Sequence, residues 1–316
     1  MKRFFFIILS IIIITLIFPV IVFLIPQKPA PTLEQSEGTD KVSVYIKKED
    51  RVVEMDTAQY LKEVVAAEMP VDFHSEALKA QAVAARTYMV NRRNNGGTDI
   101  HKGAHICTDS THCKAWIAES ERKEIWGEDA EEKWAKISRA VDETSGIIMT
   151  YEGKPISAVF HSTSSGKTEN AVDVWGGDVP YLVSVDSVGD TESPKFNSEL
   201  TLSVEDFRQT ASKSIAGIDW SLGNFSEIFR SEAGGIRSLK IGGVAISGTT
   251  FRSIFSLRST NAEITESNGN ITITTKGYGH GVGMSQYGAN YLASQGKGYQ
   301  EILQTYYTGI KITDSN

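Results

Sequence analysis

The stretch Val64–Tyr88, VVAAEMPVDFHSEALKAQAVAARTY, restricts the fold of this chain more than any other. Pro70 divides it, because proline has no amide hydrogen and clashes with the preceding helical turn. Before it, Asp56-x-x-Gln59 has the pattern of a capping box and opens a helix through about Ala67. After it, a second helix starts at His74 or Ser75 and runs to about Arg93, where Asn94-Asn95-Gly96-Gly97 ends it. Its rows Ala77, Ala80, Ala84, Tyr88 and Leu78, Val83, Thr87 are apolar, and so much alanine predicts close packing in the domain interior. Glu68 stands at the junction. A carboxyl in an apolar pocket has a raised pKa, which suits a general acid. The same residue could instead belong to the last turn of a surface helix.

The N-terminus is a second constraint. Met1-Lys2-Arg3 is basic, and residues 4–25 are apolar apart from Ser10, Thr15 and Pro19. About 20 such residues span a bilayer. The run is too long for a signal-peptide core and no small-residue cleavage site follows it, so residues 1–27 read as an uncleaved signal-anchor. The basic residues stay in the cytoplasm and the bulk of the chain lies outside. Residues 28–40, rich in Pro, Ser, Thr, Gly and Glu, read as a flexible linker. Residues 41–316 then form one extracytoplasmic domain. Lys and Arg number 32 against 39 Asp and Glu, which argues against a nucleic-acid partner.

Along the domain, Lys41–Lys47 alternates like a half-buried strand, and Glu119–Thr144 reads as a helix containing Trp126 and Trp134. Gly146–Tyr151 and Pro155–Phe160 read as a hairpin around Glu152-Gly153-Lys154. A helix is expected at Val204–Ser214, strands at Ile236–Ile241, Thr250–Ile254 and Asn270–Thr275, and closing helices at Gly288–Gln295 and Tyr299–Tyr306. The fold class is α+β, with a helical part carrying Glu68 and a strand-rich part after it.

Three constellations carry chemistry. HKGAHICTDSTHC holds His101, His105, Cys107, His112 and Cys113, donors suited to tetrahedral zinc. A Cys107–Cys113 disulfide is the alternative, since these are the two cysteines of a chain read as extracytoplasmic. His161-Ser162-Thr163-Ser164-Ser165-Gly166 follows a strand and reads as the lining of a polar pocket. His161 and Ser162 are neighbours pointing to opposite faces, so they do not make a nucleophile pair. Residues 277–289, GYGHGVGMSQYGA, have glycine at alternate positions, which lets backbone approach closely. They lack the phosphate-loop Gly-Lys-Ser/Thr and read as a cleft loop presenting His280, Ser285 and Gln286 to a polar ligand.

Together Ala67–Pro70, the Glu76–Tyr88 helix, residues 161–166, Val174-Trp175-Gly176-Gly177 and residues 279–289 make the chain resemble the stage II sporulation protein D family, which includes amidase enhancers. The resemblance runs from about Lys41 to the C-terminus. It implies a membrane-anchored peptidoglycan lytic transglycosylase acting in forespore engulfment, in the space between mother-cell and forespore membranes. It further implies cleavage between MurNAc and GlcNAc on glycan strands stripped of stem peptides, leaving 1,6-anhydroMurNAc ends, with stage II sporulation proteins P and M as partners. Glu68 corresponds to the family's catalytic glutamate. His101, Cys107, His112 and Cys113 are similar to a zinc-binding set of some members, which favours a structural Zn2+ over a disulfide and leaves His105 spare. On this resemblance Arg86 and Tyr88 are candidates for substrate contacts, or Arg86 for a structural ion pair. His161, Ser162, Ser164, His280, Ser285 and Gln286 would bind sugar hydroxyls and N-acetyl groups. Trp175 and Tyr287 would stack on pyranose faces or fill the core. Two rival readings are a hydrolytic muramidase with Asp72, Asp109 or Asp173 as second carboxylate and a non-catalytic wall-binding scaffold that activates an amidase. A zinc hydrolase is a third.

Overall fold

The computed structural model describes residues 40–96 and 101–314, and residues Lys41–Asn316 form a compact unit. The expected anchor lies outside the described residues, among which no helix is long and apolar enough to cross a membrane. The class is α+β.

The chain enters through strands β1 (Lys41–Ile46) and β2 (Arg51–Asp56), an antiparallel hairpin registered Lys41 to Asp56. Asp56 caps helix α1 (Thr57–Glu68), accepting from the Gln59 amide at 2.9 Å. The expected box is half made, since the Gln59 side chain goes instead to Glu63 and Glu119. Helix α2 (Ser75–Asn94) follows Pro70 and is the centre of the molecule. Its Ala77, Leu78, Ala80, Ala82, Val83 and Ala84 are fully buried, as its small side chains require for close approach. It packs on α1, on β4 and on helices from both ends of the unit.

Strand β3 (Ile106–Cys107) joins β1 in parallel. The expected helix 119–144 is two, α3 (Glu119–Trp126) and α4 (Ala130–Asp142). Gly127 breaks it in a backbone conformation, φ 61° and ψ −128°, that a side chain would resist. Strands β4 (Ile147–Tyr151) and β5 (Lys154–Pro155) turn at Glu152-Gly153, both at positive φ. The expected second strand Pro155–Phe160 does not continue. Pro155 ends β5, and only Phe160–His161 returns to extended pairing, as β6. Helix α5 (Ala171–Trp175) is a short turn.

A second hydrophobic core then intervenes. It is built from β7 (Asn197–Ser203), α6 (Val204–Ser212), β8 (Phe225–Arg230), β9 (Ile236–Ile241), β10 (Val244–Ser247), α7 (Gly248–Ile254), β11 (Ala262–Ser267) and β12 (Asn270–Lys276). Phe207, Phe251, Leu239 and Ile271 fill it, with Phe207 stacked on Phe255 at 4.6 Å. The strand expected at Thr250–Ile254 is helical. Ser247 caps it through the Thr250 amide, and Gly248 lets the turn sit on the Ile236 carbonyl, so capping and packing override β-branched propensity. Strand β13 (Met284–Ser285), helices α8 (Gln286–Ser294) and α9 (Tyr299–Tyr306) and strand β14 (Lys311–Asp314) return to the main core, β14 pairing with β4.

Candidate active site and metal cluster

Glu68 ends α1, and Met69-Pro70 turn the chain so that its carboxylate faces an open cleft of about 540 Å3. The cleft is walled by Ala66–Val71, Ser110, Arg122, Trp126, His161, Ser162, Lys195, Tyr278, Gly279, Gln286 and Tyr287. Val65, Ala66 and Met69 are buried beside it, and this burial raises the Glu68 pKa above the ordinary glutamate value. Two groups pull it back. They are the charge of Lys114 and the Ala115 amide, which donates to Glu68 Oε1 at 2.7 Å. Lys114 is itself buried, its ammonium lying 3.6 Å from the Phe160 ring centroid and 4.4 Å from that of Tyr88. Burial pushes its pKa down to about 8.

Two loops that are distant in sequence form the opposite wall. β13 pairs in parallel with β6, setting Met284 beside Phe160 and Ser285 beside His161. Thr163 and Tyr278 exchange backbone hydrogen bonds at 3.0 and 2.7 Å, and the Tyr287 amide donates to Ser162 O at 3.1 Å. Glycine is needed here. A Cβ on Gly279 would press on His161, and one on Gly283 would collide with the Val159 carbonyl. His161 Nδ1 donates to the Val282 carbonyl at 3.1 Å. Its Nε2 is therefore an acceptor, and that atom is sealed and unpartnered on a cleft-lining residue. Burial lowers the His161 pKa to about 4, so the ring is neutral.

The expected residues divide into groups. Glu68, His161, Ser162, Gln286 and Tyr287 come together in the cleft. His280 lies behind His161, ring centroids 5.6 Å apart, and accepts the Val282 amide at Nδ1. Trp175 is half-exposed and rests on His280 at 5.2 Å, outside the cleft lining. Ser164 and Ser285 do not reach the cleft. Both donate to Asp190, a buried carboxylate that also accepts from Ser187 at 2.5 Å, so their hydroxyls are spent in holding loops. Arg86 does not reach it either. Its guanidinium donates to the carbonyls of Val141, Thr144 and Ile147 and closes the end of α4, since the buried charge needs these acceptors. Tyr88 is buried under Lys114 and bonds Arg92 at 3.1 Å. None of Asp72, Asp109 and Asp173 lines the cleft. Asp109 pairs with Lys47 and Asp173 with Arg237. Reasoning from sequence missed Lys114, Ala115 and Arg122. The helical i, i+4 spacing of Arg122 and Trp126 is the signal that puts those two on one face.

The metal-type donors also converge. His101 Nε2 and His112 Nδ1 are 2.8 Å apart, Cys113 Sγ is 3.3 and 3.6 Å from them, and Cys107 Sγ is 3.7 Å from His112. All four ligand atoms lie within 4.8 Å of one another, and both cysteines are free thiols. Tetrahedral zinc with arms of about 2.0 Å to N and 2.3 Å to S has edges of about 3.3–3.8 Å, so the donor set fits with small adjustments. His105 stands apart, accepting the Ser43 amide.

Among the described residues one carboxylic acid of raised pKa lines this polar cleft, and a His2Cys2 donor cluster lies in the same run of chain as the Lys114 and Ala115 that face it, a site suited to a polar ligand. Residues 45–151 match the Stage II sporulation protein family, SpoIID. The chain is 41% identical over 286 residues to stage II sporulation protein D of Bacillus amyloliquefaciens, covering 90% of this chain and 82% of that protein. It is 37% identical over 293 residues to the Bacillus subtilis (strain 168) protein of the same name, covering 92% and 83%. An amidase enhancer of Bacillus subtilis (strain 168) is 29% identical over 307 residues, covering 80% of this chain and 40% of that protein. The chain belongs to the stage II sporulation protein D family, a family of sporulation proteins.

Proposed function

We propose that this protein is a peptidoglycan lytic transglycosylase that cuts MurNAc–GlcNAc bonds of denuded glycan strands and leaves 1,6-anhydroMurNAc ends. The observation that carries the reading is that, among the described residues, Glu68 is the one carboxylate lining the cleft and is held toward its protonated form. A hydrolytic glycosidase generally needs two carboxyl groups flanking the bond. An intramolecular ring closure needs one group acting twice. Protonated Glu68 donates to the leaving O4 as the C1–O4 bond breaks. The resulting carboxylate, steadied by the Ala115 amide and Lys114, then takes the C6 hydroxyl proton as O6 bonds C1. Ser162 offers its hydroxyl to a sugar O–H or acetamido group, and Trp126, Tyr278 and Tyr287 offer ring faces.

On this reading His101, Cys107, His112 and Cys113 hold a Zn2+ that supplies stability to the loop rather than chemistry, because all four positions are filled by protein. Residues 1–27 anchor the chain, and it acts outside the membrane, with stage II sporulation proteins P and M as partners by family resemblance. The test is mass spectrometry of denuded glycan digested by the protein and by Glu68→Gln. We expect 1,6-anhydroMurNAc products from the first, and a loss of about 100-fold or more in rate for the variant. Products with a reducing-end MurNAc, or an unimpaired variant, sink the reading. A second reading is favoured by the relative named as an amidase enhancer. A non-catalytic scaffold would leave both glycan cleavage and partner activation unchanged in Glu68→Ala.

A further inference from the structure

The formal net charge of the chain is −7, yet the cleft has the opposite balance. Its lining holds two cations, Arg122 and Lys195, against one carboxylate, Glu68. Among the described residues no carboxylate forms an ion pair with either cation. The neighbouring exposed Glu121 acts on Arg122 only at a distance. Arg122 is mounted rather than loose. Its guanidinium lies 5.5 Å from the Trp126 ring centroid, and its Nε is sealed from solvent with no acceptor. A planar fork on an aromatic shelf is the group that reads a carboxylate with two parallel hydrogen bonds. Lys195 has a similar mount, its ammonium 5.5 Å from the Tyr278 ring centroid.

Neutral sugar hydroxyls do not call for two unpaired cations. A carboxylate does. In peptidoglycan the acid borne by the sugar itself is the lactyl ether of MurNAc. It is ionised only when no stem peptide is joined to it, since the peptide link turns the carboxyl into a neutral amide. We propose that Arg122, with Lys195 as a second cation, reads the free lactyl carboxylate of a MurNAc residue and is the group through which the cleft distinguishes the denuded strands of the reading above from peptide-bearing ones. This inference rests on the glycan reading of the cleft given above.

The test is calorimetric titration of the full-length chain carrying Glu68→Gln, which prevents turnover, with three tetrasaccharides. One is denuded GlcNAc–MurNAc glycan, the second is the same glycan with its lactyl carboxyls converted to methylamides, and the third is chitotetraose. We expect the first to bind about tenfold tighter than the other two, as a charge-assisted pair implies, with the gap shrinking as salt rises. Adding Arg122→Gln closes the gap, Arg122→Lys keeps part of it, and Lys195→Gln narrows it. Equal affinity for all three glycans, or a gap that survives both Arg122→Gln and Lys195→Gln, overturns the proposal while leaving the glycan reading intact. Binding of none of the three overturns both. Should Arg122→Gln fail to fold, the carboxylate-to-methylamide comparison in the parent and the exposed Lys195 variant still decide.

Discussion

Glu68 shows how a local environment sets a protonation preference. Its seat among Val65, Ala66 and Met69 raises its pKa, and this has a cost in stability that can be measured. The native state holds the Glu68 proton more tightly than the unfolded chain does. The associated stability is complete below the unfolded glutamate pKa of about 4.3 and is lost as pH rises through the folded value. Glu68→Gln stays neutral throughout. We therefore expect it to melt at a higher temperature than the wild type at neutral pH, with the difference closing as pH falls toward about 4. Equal melting temperatures at neutral pH would contradict a desolvated seat. Asp190 makes the complementary case. It is buried, it accepts from Ser164, Ser187 and Ser285, and Ser187 in turn meets the Tyr306 hydroxyl at 2.8 Å. Asp190→Ala leaves these donors unpaired and should cost about 3 kcal/mol or more in urea denaturation.

The segment from His101 to Ala115 couples two sites within one run of chain. His101, Cys107, His112 and Cys113 converge, and the next two residues deliver the Lys114 charge and the Ala115 amide to Glu68. A metal held by four protein donors has no open position for water. A chelator that strips the metal is therefore expected to lower the melting temperature and to leave thiols that take up protons, which are released again on reloading. Immediate loss of turnover at an unchanged melting temperature would instead show the metal taking part in the reaction. The motif loops 161–166 and 277–289 form a second paired element, and their glycines are required by backbone contact rather than by a phosphate.

Across the molecule, the hydrophobic residues gather in two cores. The main core gathers around α2, while the second, from Asn197 to Lys276, is inserted in sequence between β6 and β13, strands that pair directly with each other. Its stability should be separable. Phe251→Ala is expected to cost about 3–5 kcal/mol and to speed amide exchange in residues 197–276 before it does so in α2. Uniform exchange throughout would mean that the two cores unfold as one. The helices around Glu68, the Ile236–Ile241 strand and the Tyr299–Tyr306 helix were legible because their patterns are periodic and their ends carry caps or breakers. Thr250–Ile254 was not, because a serine cap and a glycine packed on Ile236 outweigh the strand propensity of its residues.

Local chemistry along the chain marked a carboxylate at a helix junction, five metal-type donors between His101 and Cys113 and two polar loops, while the choice of Glu68 as the acid and of four donors among the five came from the family resemblance. It could not tell which hydroxyls face the cleft. Ser162 does, while Ser164 and Ser285 turn inward to Asp190, a partner at least 26 residues away. Nor could it place Ala115 on Glu68, 47 residues apart, or assign Arg86 to the end of α4. Those assignments depend on which buried donors and acceptors satisfy one another, and that pairing exists only once the chain has packed.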